Sequence, residues 1–591
     1  MHLPVSLPMS LPMPMLGRLP LRRSASPLVT RMCASLCALA MLGQAALPAL
    51  AQAQTSAPPN LPALGDPLSD DFGIGTERRV GDQIMADIRR DPDYLQDPVL
   101  LEYMQSLWLP LLQQARARGN ISSDIDQRFA WEIFLVRDRS VNAFALPGGF
   151  VGVHLGLVAM TSTPEELASV LAHEMSHVTQ RHIARGVTNS KQQSMIGIAT
   201  MILGVLAASR ARNADIANAA IAGGQAVGIQ GQLNFSRDME READRIGYTL
   251  LSGAGFEPGG MASMFEKLDQ SSRLNDSGGY PYLRSHPLTT ERLGEARSRQ
   301  GVRSTSPPVS VLEHDIAQAR SRVLMDPRVD ALRRWQAQDA ERSGAGVAEQ
   351  VSAAYASALA STLLRDWARA DASLATAQAR VASQRTAADA TAADTPPRGA
   401  GSAIARAERA LTMLRVQSLL ERSAPDQAGV ALQSLAADKS RPVMLLRAQA
   451  ALGAALAGNS GSAGNASNSG NSGNSGSAGT APEPAEPALK RSADELQTWV
   501  ALNPQDDLAW AALGRAWERL GQPLRALRAE AEARIAIGDL PGGIDRLRAG
   551  QRRARDATGS TDFIEASVLD ARLREVEAQR RQLLAEQAGK R

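Results

Sequence analysis

The chain has 591 residues, more than one ordinary domain holds, so we expect two or more domains. Its composition, with 44% hydrophobic and 21% charged residues, is typical of a globular protein. The formal net charge is +3, but the first 51 residues contain four arginines and no acidic residue. The remaining 60 basic and 61 acidic side chains leave a net charge of −1, which argues against nucleic-acid binding.

Residues 1–53 are predicted to be a secretory signal peptide. Four arginines precede or adjoin an apolar run from Met32 to Leu50, which ends in a small-residue cleavage pattern. An uncleaved membrane anchor is the alternative. Both cysteines, Cys33 and Cys37, lie inside this segment, so the exported chain would have no disulfide and no thiol ligand or nucleophile. Export of this kind indicates a periplasmic or extracellular protein.

The next segment predicts helices over 77–90 and 99–118 and a strand over 129–136. Residues 141–154 predict a β-hairpin whose turn is Pro147-Gly148-Gly149. In zinc proteases such a strand is often an exposed edge that pairs with an extended substrate. An ordinary hairpin inside the core fits the sequence equally well.

A zinc-protease signature follows at Leu171-Ala172-His173-Glu174-Met175-Ser176-His177. On a helix, His173 and His177 lie one turn apart on the same face, so both imidazoles can reach one metal ion. Glu174 is rotated by about 100° and can accept a proton from the water that attacks the substrate. Thr163, before a proline, is the predicted N-cap, and the helix is expected to run to about Arg185.

Two Ala/Gly-rich stretches, residues 196–208 and 215–231, come after this helix. They favour either a movable lid over the cleft or helices packed through small residues. The first stretch is also the basis of a weaker hypothesis, an integral-membrane protease, although a single span needs roughly 20 residues.

Zinc needs a third protein ligand, and Glu240 is the best candidate on the next predicted helix. Asp244 lies four residues further on the same face, where it can hydrogen-bond a zinc-bound imidazole and fix its tautomer. Glu242 is expected to point elsewhere. A solvated charged helix face is the alternative for both acidic residues.

Three further residues, His182, His286 and Arg292, follow the motif in the sequence. His182 is predicted to lie at the surface or in a helix cap, because it is rotated away from both motif histidines. His286, in a predicted loop over 280–288, can stabilise an oxyanion, cap the open zinc position, or simply support its loop. Arg292 follows at the start of another predicted helix. A cysteine or serine protease is less favoured, because no serine lies in a G-x-S-x-G motif.

The tail is rich in Ala, Leu and Arg and predicts helices with few strands. Six positions match the spacing of a tetratricopeptide repeat, namely Trp510, Leu513, Gly514, Trp517, Ala526 and Ala533. The match has gaps, because Glu530 and Gly538 stand where such a repeat usually has Phe and Pro. The fold class is therefore α+β, a zincin-type and mainly helical metalloprotease domain with a small sheet, followed by an all-α tetratricopeptide-like repeat domain. The predicted domains are a signal peptide (1–53), a metalloprotease domain (54–304), a first set of repeats (305–457), a Gly/Ser/Asn-rich linker (458–488) and a second set of repeats (489–591).

These motifs, from Asn142 to Gly149, from Leu171 to His177, from Glu240 to Asp244 and at His286-Pro287 with Arg292, resemble the Ste24-type zinc metalloprotease family. The resemblance implies one zinc ion bound by His173, His177 and Glu240. It implies a catalytic Glu174, a supporting Asp244, a zinc-capping His286 and a neighbouring Arg292 in the cleft.

The signal and the helical tail make the chain similar to periplasmic members of that family. Their likeness implies an endopeptidase with chaperone-like activity, periplasmic or peripheral at the outer membrane. Its substrates would be unfolded or misassembled outer-membrane proteins, and its repeats would contact the barrel assembly machinery. The alternative is a periplasmic chaperone or scaffold that acts through its repeats and whose metal site is usually plugged.

Overall fold

The structure is a computed structural model, and it describes residues 73–188, 236–274, 281–299, 312–341, 345–391, 400–462, 485–555 and 560–588. The predicted signal peptide, both Ala/Gly-rich stretches and most of the Gly/Ser/Asn-rich segment lie outside these residues. Among the described helices, none is both long enough and apolar enough to cross a membrane.

The N-terminal region combines helices with a small mixed sheet, as the α+β prediction requires. Its helices are α1 (Ile74–Ile88), α2 (Pro98–Ala117), α3 (Ser123–Arg128), α4 (Leu155–Met160), α5 (Pro164–Thr179), α6 (His182–Thr188), α7 (Arg237–Gly253), α8 (Gly259–Leu274), α9 (Pro281–Ser285) and α10 (Thr290–Arg299). Its strands are β1 (Tyr94–Leu95), β2 (Glu132–Val136), β3 (Ala143–Leu146) and β4 (Phe150–His154).

The strands are ordered β1-β2-β4-β3, with β2 parallel to β4 and the other neighbours antiparallel. The predicted hairpin is therefore present as β3 and β4, and its turn places Gly148 and Gly149 at φ of 78° and 90°, which favour glycine. The predicted strand over 129–136 begins only at Glu132. Trp131 has a φ of 51°, which is incompatible with an extended strand.

The sheet is covered on both faces. Ile133 and Leu135 belong to the main core with α2 and α5, whereas Phe134 and Val136 pack into a second core with α1. This division follows from the two-residue period of a strand. All five residues of β4 are buried, while β3 lies at the edge of the described sheet.

The tail is entirely helical within the described residues. Its helices are α11 (Leu312–Leu324), α12 (Val329–Glu341), α13 (Val347–Leu363), α14 (Trp367–Thr391), α15 (Ala400–Glu421), α16 (Pro425–Leu432), α17 (Arg441–Ser462), α18 (Ala485–Leu502), α19 (Asp507–Arg519), α20 (Pro523–Ala536), α21 (Leu540–Ala554) and α22 (Ser560–Ala588), with a short 3₁₀ turn at Gln433–Leu435. Consecutive helices pack against each other and enclose several small cores rich in alanine and leucine.

Candidate metal centre

Helix α5 begins as its sequence predicts. The Oγ1 atom of Thr163 accepts a hydrogen bond from the Glu166 main-chain N–H at 3.3 Å, and Pro164 occupies the first turn. The Glu166 carboxylate accepts from the main-chain N–H of Ser162 at 2.6 Å rather than from that of Thr163, and it pairs with Lys267 at 2.5 Å. The start of the motif helix is thus held by its own cap and by α8.

The end of this helix differs from the prediction. Helix α5 stops at Thr179 instead of continuing to about Arg185. The interruption lies at Arg181, which has a φ of 52° and whose buried guanidinium donates to Glu77 at 2.9 Å. Helix α6 then begins separately at His182, so His182 does not follow the rotation expected of one continuous helix.

Three predicted ligands converge in the interior. The Nε2 atoms of His173 and His177 lie 3.0 Å apart. The carboxylate of Glu240, on α7, lies 3.6 Å from Nε2 of His173 and 3.5 Å from Nε2 of His177. Helix α7 approaches α5 closely because Gly247 has no side chain, and a Cβ there would lie 3.2 Å from the backbone of Ala172 and His173.

Asp244 and Arg292 lie directly behind these ligands. The Oδ1 atom of Asp244 is 2.9 Å from Nδ1 of His173, on the side of the ring away from the cluster. Arg292 donates two hydrogen bonds to Asp244, at 2.6 and 2.8 Å, and lies 2.8 Å from Glu240. One buried guanidinium therefore orients both acidic residues of α7.

His286 lies inside the cluster. The segment predicted as a loop forms the short helix α9, and His286 follows it with its ring stacked on Tyr282 at 4.7 Å between centroids. Its Nδ1 atom is 3.0 Å from Glu240 and 3.3 Å from His173. Its Nε2 atom is 3.5 Å from Glu174. Its ring thus lies between a predicted ligand and the predicted catalytic carboxylate.

Glu174 is fully buried, and neither of its carboxylate oxygens accepts a well-formed hydrogen bond from the described residues. Burial raises the pKa of Glu174, against the opposing influence of the His286 and His173 charges. A buried carboxylate of raised pKa is suited to take up a proton and release it again.

The ligand residues have strongly perturbed pKa values. Burial alone would lower the pKa of His173, but hydrogen bonds with Asp244 and Glu240 raise it to about 10. Burial would raise the pKa of Glu240, but His286 and His173 hold it far below its usual range. Burial lowers the pKa of His177. The cluster therefore attracts one positive charge, which a metal ion can supply in place of a proton.

The donor set fits one zinc ion. Ligand atoms from His173, His177, Glu240 and His286 all lie within 4.8 Å of one another, and all four residues are buried. Two imidazole nitrogens and one carboxylate oxygen are a common protein ligand set for catalytic zinc, which keeps a further position open.

His182 lies in a different place from the one predicted. It was expected at the surface or in a helix cap but is completely buried, with Nδ1 2.9 Å from Nδ1 of His177. Its Nε2 atom is 3.1 Å from Glu242, which points away from the cluster as expected but anchors this ring. Burial lowers the pKa of His182 to about 4. No local sequence pattern predicts the contact between His182 and His177, because it depends on the break in the helix at Arg181.

The edge strand β3 lies beside this cluster and packs against α5. The main-chain N–H of Tyr282 donates to the carbonyl oxygen of Val141 at 3.3 Å, just before β3 begins. The segment that carries His286 is therefore attached to the approach to the edge strand as well as to the ligands.

Comparisons with known proteins agree with this geometry. The model of peptidase family M48 matches residues 111–300. We call residues 111–300 the M48 domain, after the family whose model they match. The M48 domain contains all seven residues predicted for the site. The family match and the buried donor cluster together confirm the prediction of a zinc metalloprotease and of zinc as its cofactor.

Several known proteins are similar to part of this chain. A putative beta-barrel assembly-enhancing protease of Vibrio cholerae is 37% identical over 281 residues, which are 47% of this chain and 54% of that protein. The beta-barrel assembly-enhancing protease of Escherichia coli is 33% identical over 291 residues, 49% of this chain and 56% of that protein. The mitochondrial metalloendopeptidase OMA1 of Arabidopsis thaliana is 28% identical over 225 residues, 37% of this chain and 42% of that protein. The chain thus spans about half the length of the relatives that it matches.

Proposed function

We propose that the protein is a zinc-dependent endopeptidase of the Ste24 type that cleaves unfolded or misassembled outer-membrane proteins in the periplasm. The observation that supports the reaction best is the convergence of His173, His177 and Glu240 beside the buried Glu174. The names of the bacterial relatives, which refer to β-barrel assembly, support the substrate class.

The proposed mechanism divides the work among the residues of the cluster. A zinc ion held by His173, His177 and Glu240 would supply Lewis acidity toward the scissile carbonyl and its attacking water. Glu174 takes the proton from that water and returns it to the leaving amine. Asp244 and Arg292 keep His173 and Glu240 oriented throughout.

Substrate pairing with β3 is part of the proposal. An extended chain would add to the edge of the sheet, where main-chain hydrogen bonds give affinity without demanding a particular sequence. Such binding suits unfolded chains. It requires the segment from Tyr282 to His286 to move, because that segment now contacts both the approach to β3 and the cluster.

Substitution of Glu174 tests the reaction. Glu174→Gln should reduce casein cleavage by a factor of about 100 or more, because the general base is lost. Zinc content should remain at the wild-type value. Glu165→Gln is the matched control, on the same helix but outside the cluster, and should cleave normally. Wild-type cleavage by Glu174→Gln would refute the mechanism.

A second candidate function is favoured by the position of His286 among the ligands. A capped site is compatible with a chaperone or scaffold that contacts the barrel assembly machinery through its helical tail. We propose that this tail contains tetratricopeptide repeats. In cells, Glu174→Gln separates the two functions. Normal outer-membrane assembly with this variant would favour the scaffold, whereas defective assembly would favour the protease.

A further inference from the structure

The two predicted histidine ligands are supported differently on the side away from the metal. His173 faces the carboxylate of Asp244 with its Nδ1 atom. On that side, His177 contacts a second histidine. Its Nδ1 atom lies 2.9 Å from Nδ1 of His182, in a place where neither ring is exposed.

Only one arrangement of protons suits this contact when Nε2 of His177 binds a metal. The Nδ1 atom of His177 must then carry a hydrogen, so Nδ1 of His182 must accept it. The hydrogen of a neutral His182 is consequently on Nε2, which lies 3.1 Å from the Glu242 carboxylate. The opposite tautomer would turn a nitrogen lone pair toward that carboxylate and is disfavoured.

The Glu242 end of this series of hydrogen bonds is also fixed. Arg185, one turn after His182 on α6, donates to the same oxygen of Glu242 at 2.9 Å. Glu242 is on α7, two residues after the predicted ligand Glu240. The hydrogen bonds therefore run from α5 through α6 to α7, and connect the helices that carry all three predicted ligands.

We propose that His182, held by Glu242 and Arg185, is a positioning residue that fixes the tautomer and ring orientation of His177 for zinc binding. The proposal rests on the proposed function in one respect, that His177 is a zinc ligand. In this proposal the imidazole of His182 orients His177, as the carboxylate of Asp244 orients His173. The break at Arg181 is what brings His182 back against the preceding turn.

Zinc affinity, measured by competition with a chromophoric chelator, tests the proposal without any proteolysis assay. We expect His182→Ala to bind zinc about 10- to 100-fold more weakly, the usual effect of losing such a supporting group. His182→Asn keeps an oxygen near the position of Nδ1 and should recover part of the affinity. Glu242→Gln should weaken binding by a smaller factor, because His182 stays in place.

Asp238→Asn is the matched control, because it removes an exposed ion pair with Arg241 on the same helix as Glu242. It should bind zinc as the wild type does. Glu242→Gln keeps the test valid if His182→Ala does not fold. Wild-type affinity in both variants would overturn the proposal. If the wild-type protein itself bound no zinc, the proposed function would fail instead, so the two failures are distinguishable.

Absorption of the cobalt-substituted protein gives a second readout. A change in ligand orientation alters the visible bands of Co²⁺, whereas a general loss of stability does not. Shifted bands are expected for His182→Ala at saturating cobalt and unchanged bands for Asp238→Asn. Identical bands in all three proteins would contradict a positioning role.

Discussion

At the scale of single residues, the cluster is built around an excess of negative charge next to His173. Glu240 and Asp244 are both buried beside its ring, and Arg292 offsets only part of their charge. In the metal-free protein this environment keeps His173 protonated at neutral pH, since its pKa is raised to about 10. A zinc ion must displace that proton, so metal binding and protonation are coupled.

The pH dependence of zinc binding follows from this coupling. The pKa of His173 is raised from 6.5 to about 10, so its proton stabilises the metal-free fold fully below pH 6.5 and this contribution is lost as the pH rises through about 10. Apparent zinc affinity should therefore rise with pH between those values. Calorimetry in buffers of different ionisation enthalpy measures the protons released.

Asp244→Asn tests the cause of this effect. The variant removes one of the two carboxylates that raise the pKa of His173, so fewer protons should be released per zinc at pH 8 than in the wild type. Asp238→Asn, on the exposed face of the same helix, should release as many as the wild type. Equal release in all three proteins would show that His173 is not the group displaced.

His286 gives a prediction about activity. Because Nδ1 of His286 lies within hydrogen-bonding distance of Glu240, we expect the ring to obstruct the open zinc position. His286→Ala should then raise casein cleavage several-fold. Arg284→Ala, which alters an exposed side chain of the same segment, should leave the rate unchanged. A fall in cleavage for His286→Ala would indicate the oxyanion role instead.

At the scale of elements, the site depends on how closely α7 approaches α5. Gly247 faces the backbone of Ala172 and His173 with no room for a Cβ at normal distance. Gly294, on α10, has no atom within 4 Å of the place where a Cβ would be. These two helical glycines therefore separate the effect of packing from that of helix propensity.

Alanine substitution at both glycines should have opposite effects. Gly294→Ala should stabilise the protein by about 0.4–1 kcal/mol, because alanine restricts the unfolded chain more than glycine does. Gly247→Ala should destabilise it by about 1–3 kcal/mol through overpacking. The higher helix propensity of alanine offsets part of this loss. Thermal unfolding measures both. A higher melting temperature for Gly247→Ala would show that α7 can move away freely.

Elements with local signals were predictable from the sequence. The N-cap at Thr163 and the glycine turn before β4 are in the structure as predicted. The end of α5 was not predictable, because it depends on the pairing of Arg181 with Glu77, 104 residues earlier. The burial of His182 depends on the same long-range contact, so helical rotation alone could not predict it.

At the scale of the whole molecule, the helical tail is attached to the N-terminal region by buried polar contacts. Arg320 of α11 donates to Asp97, the N-cap of α2, at 2.8 and 2.6 Å and to the Tyr355 hydroxyl at 2.9 Å. His314 contacts the Tyr103 hydroxyl at 2.6 Å. The N-terminal region and the helical tail are thus parts of one packed unit.

Arg320→Met tests this attachment. The change leaves the Asp97 carboxylate buried without its partner, so we expect a loss of about 3–5 kcal/mol in stability. Arg385→Met is the control, since its exposed pair with Glu408 should contribute at most about 1 kcal/mol. Calorimetry should show a lowered or divided transition only for Arg320→Met. Equal transitions in both variants would mean that this contact does not hold the tail.

The central claim is that one zinc ion at His173, His177 and Glu240 works with Glu174 to cleave polypeptides. The most direct test measures zinc content and casein cleavage on the same preparations of wild type and Glu174→Gln. We predict one zinc per chain in both proteins and cleavage by the wild type alone. Cleavage by a zinc-free wild type, or equal cleavage by both zinc-loaded proteins, would contradict the account.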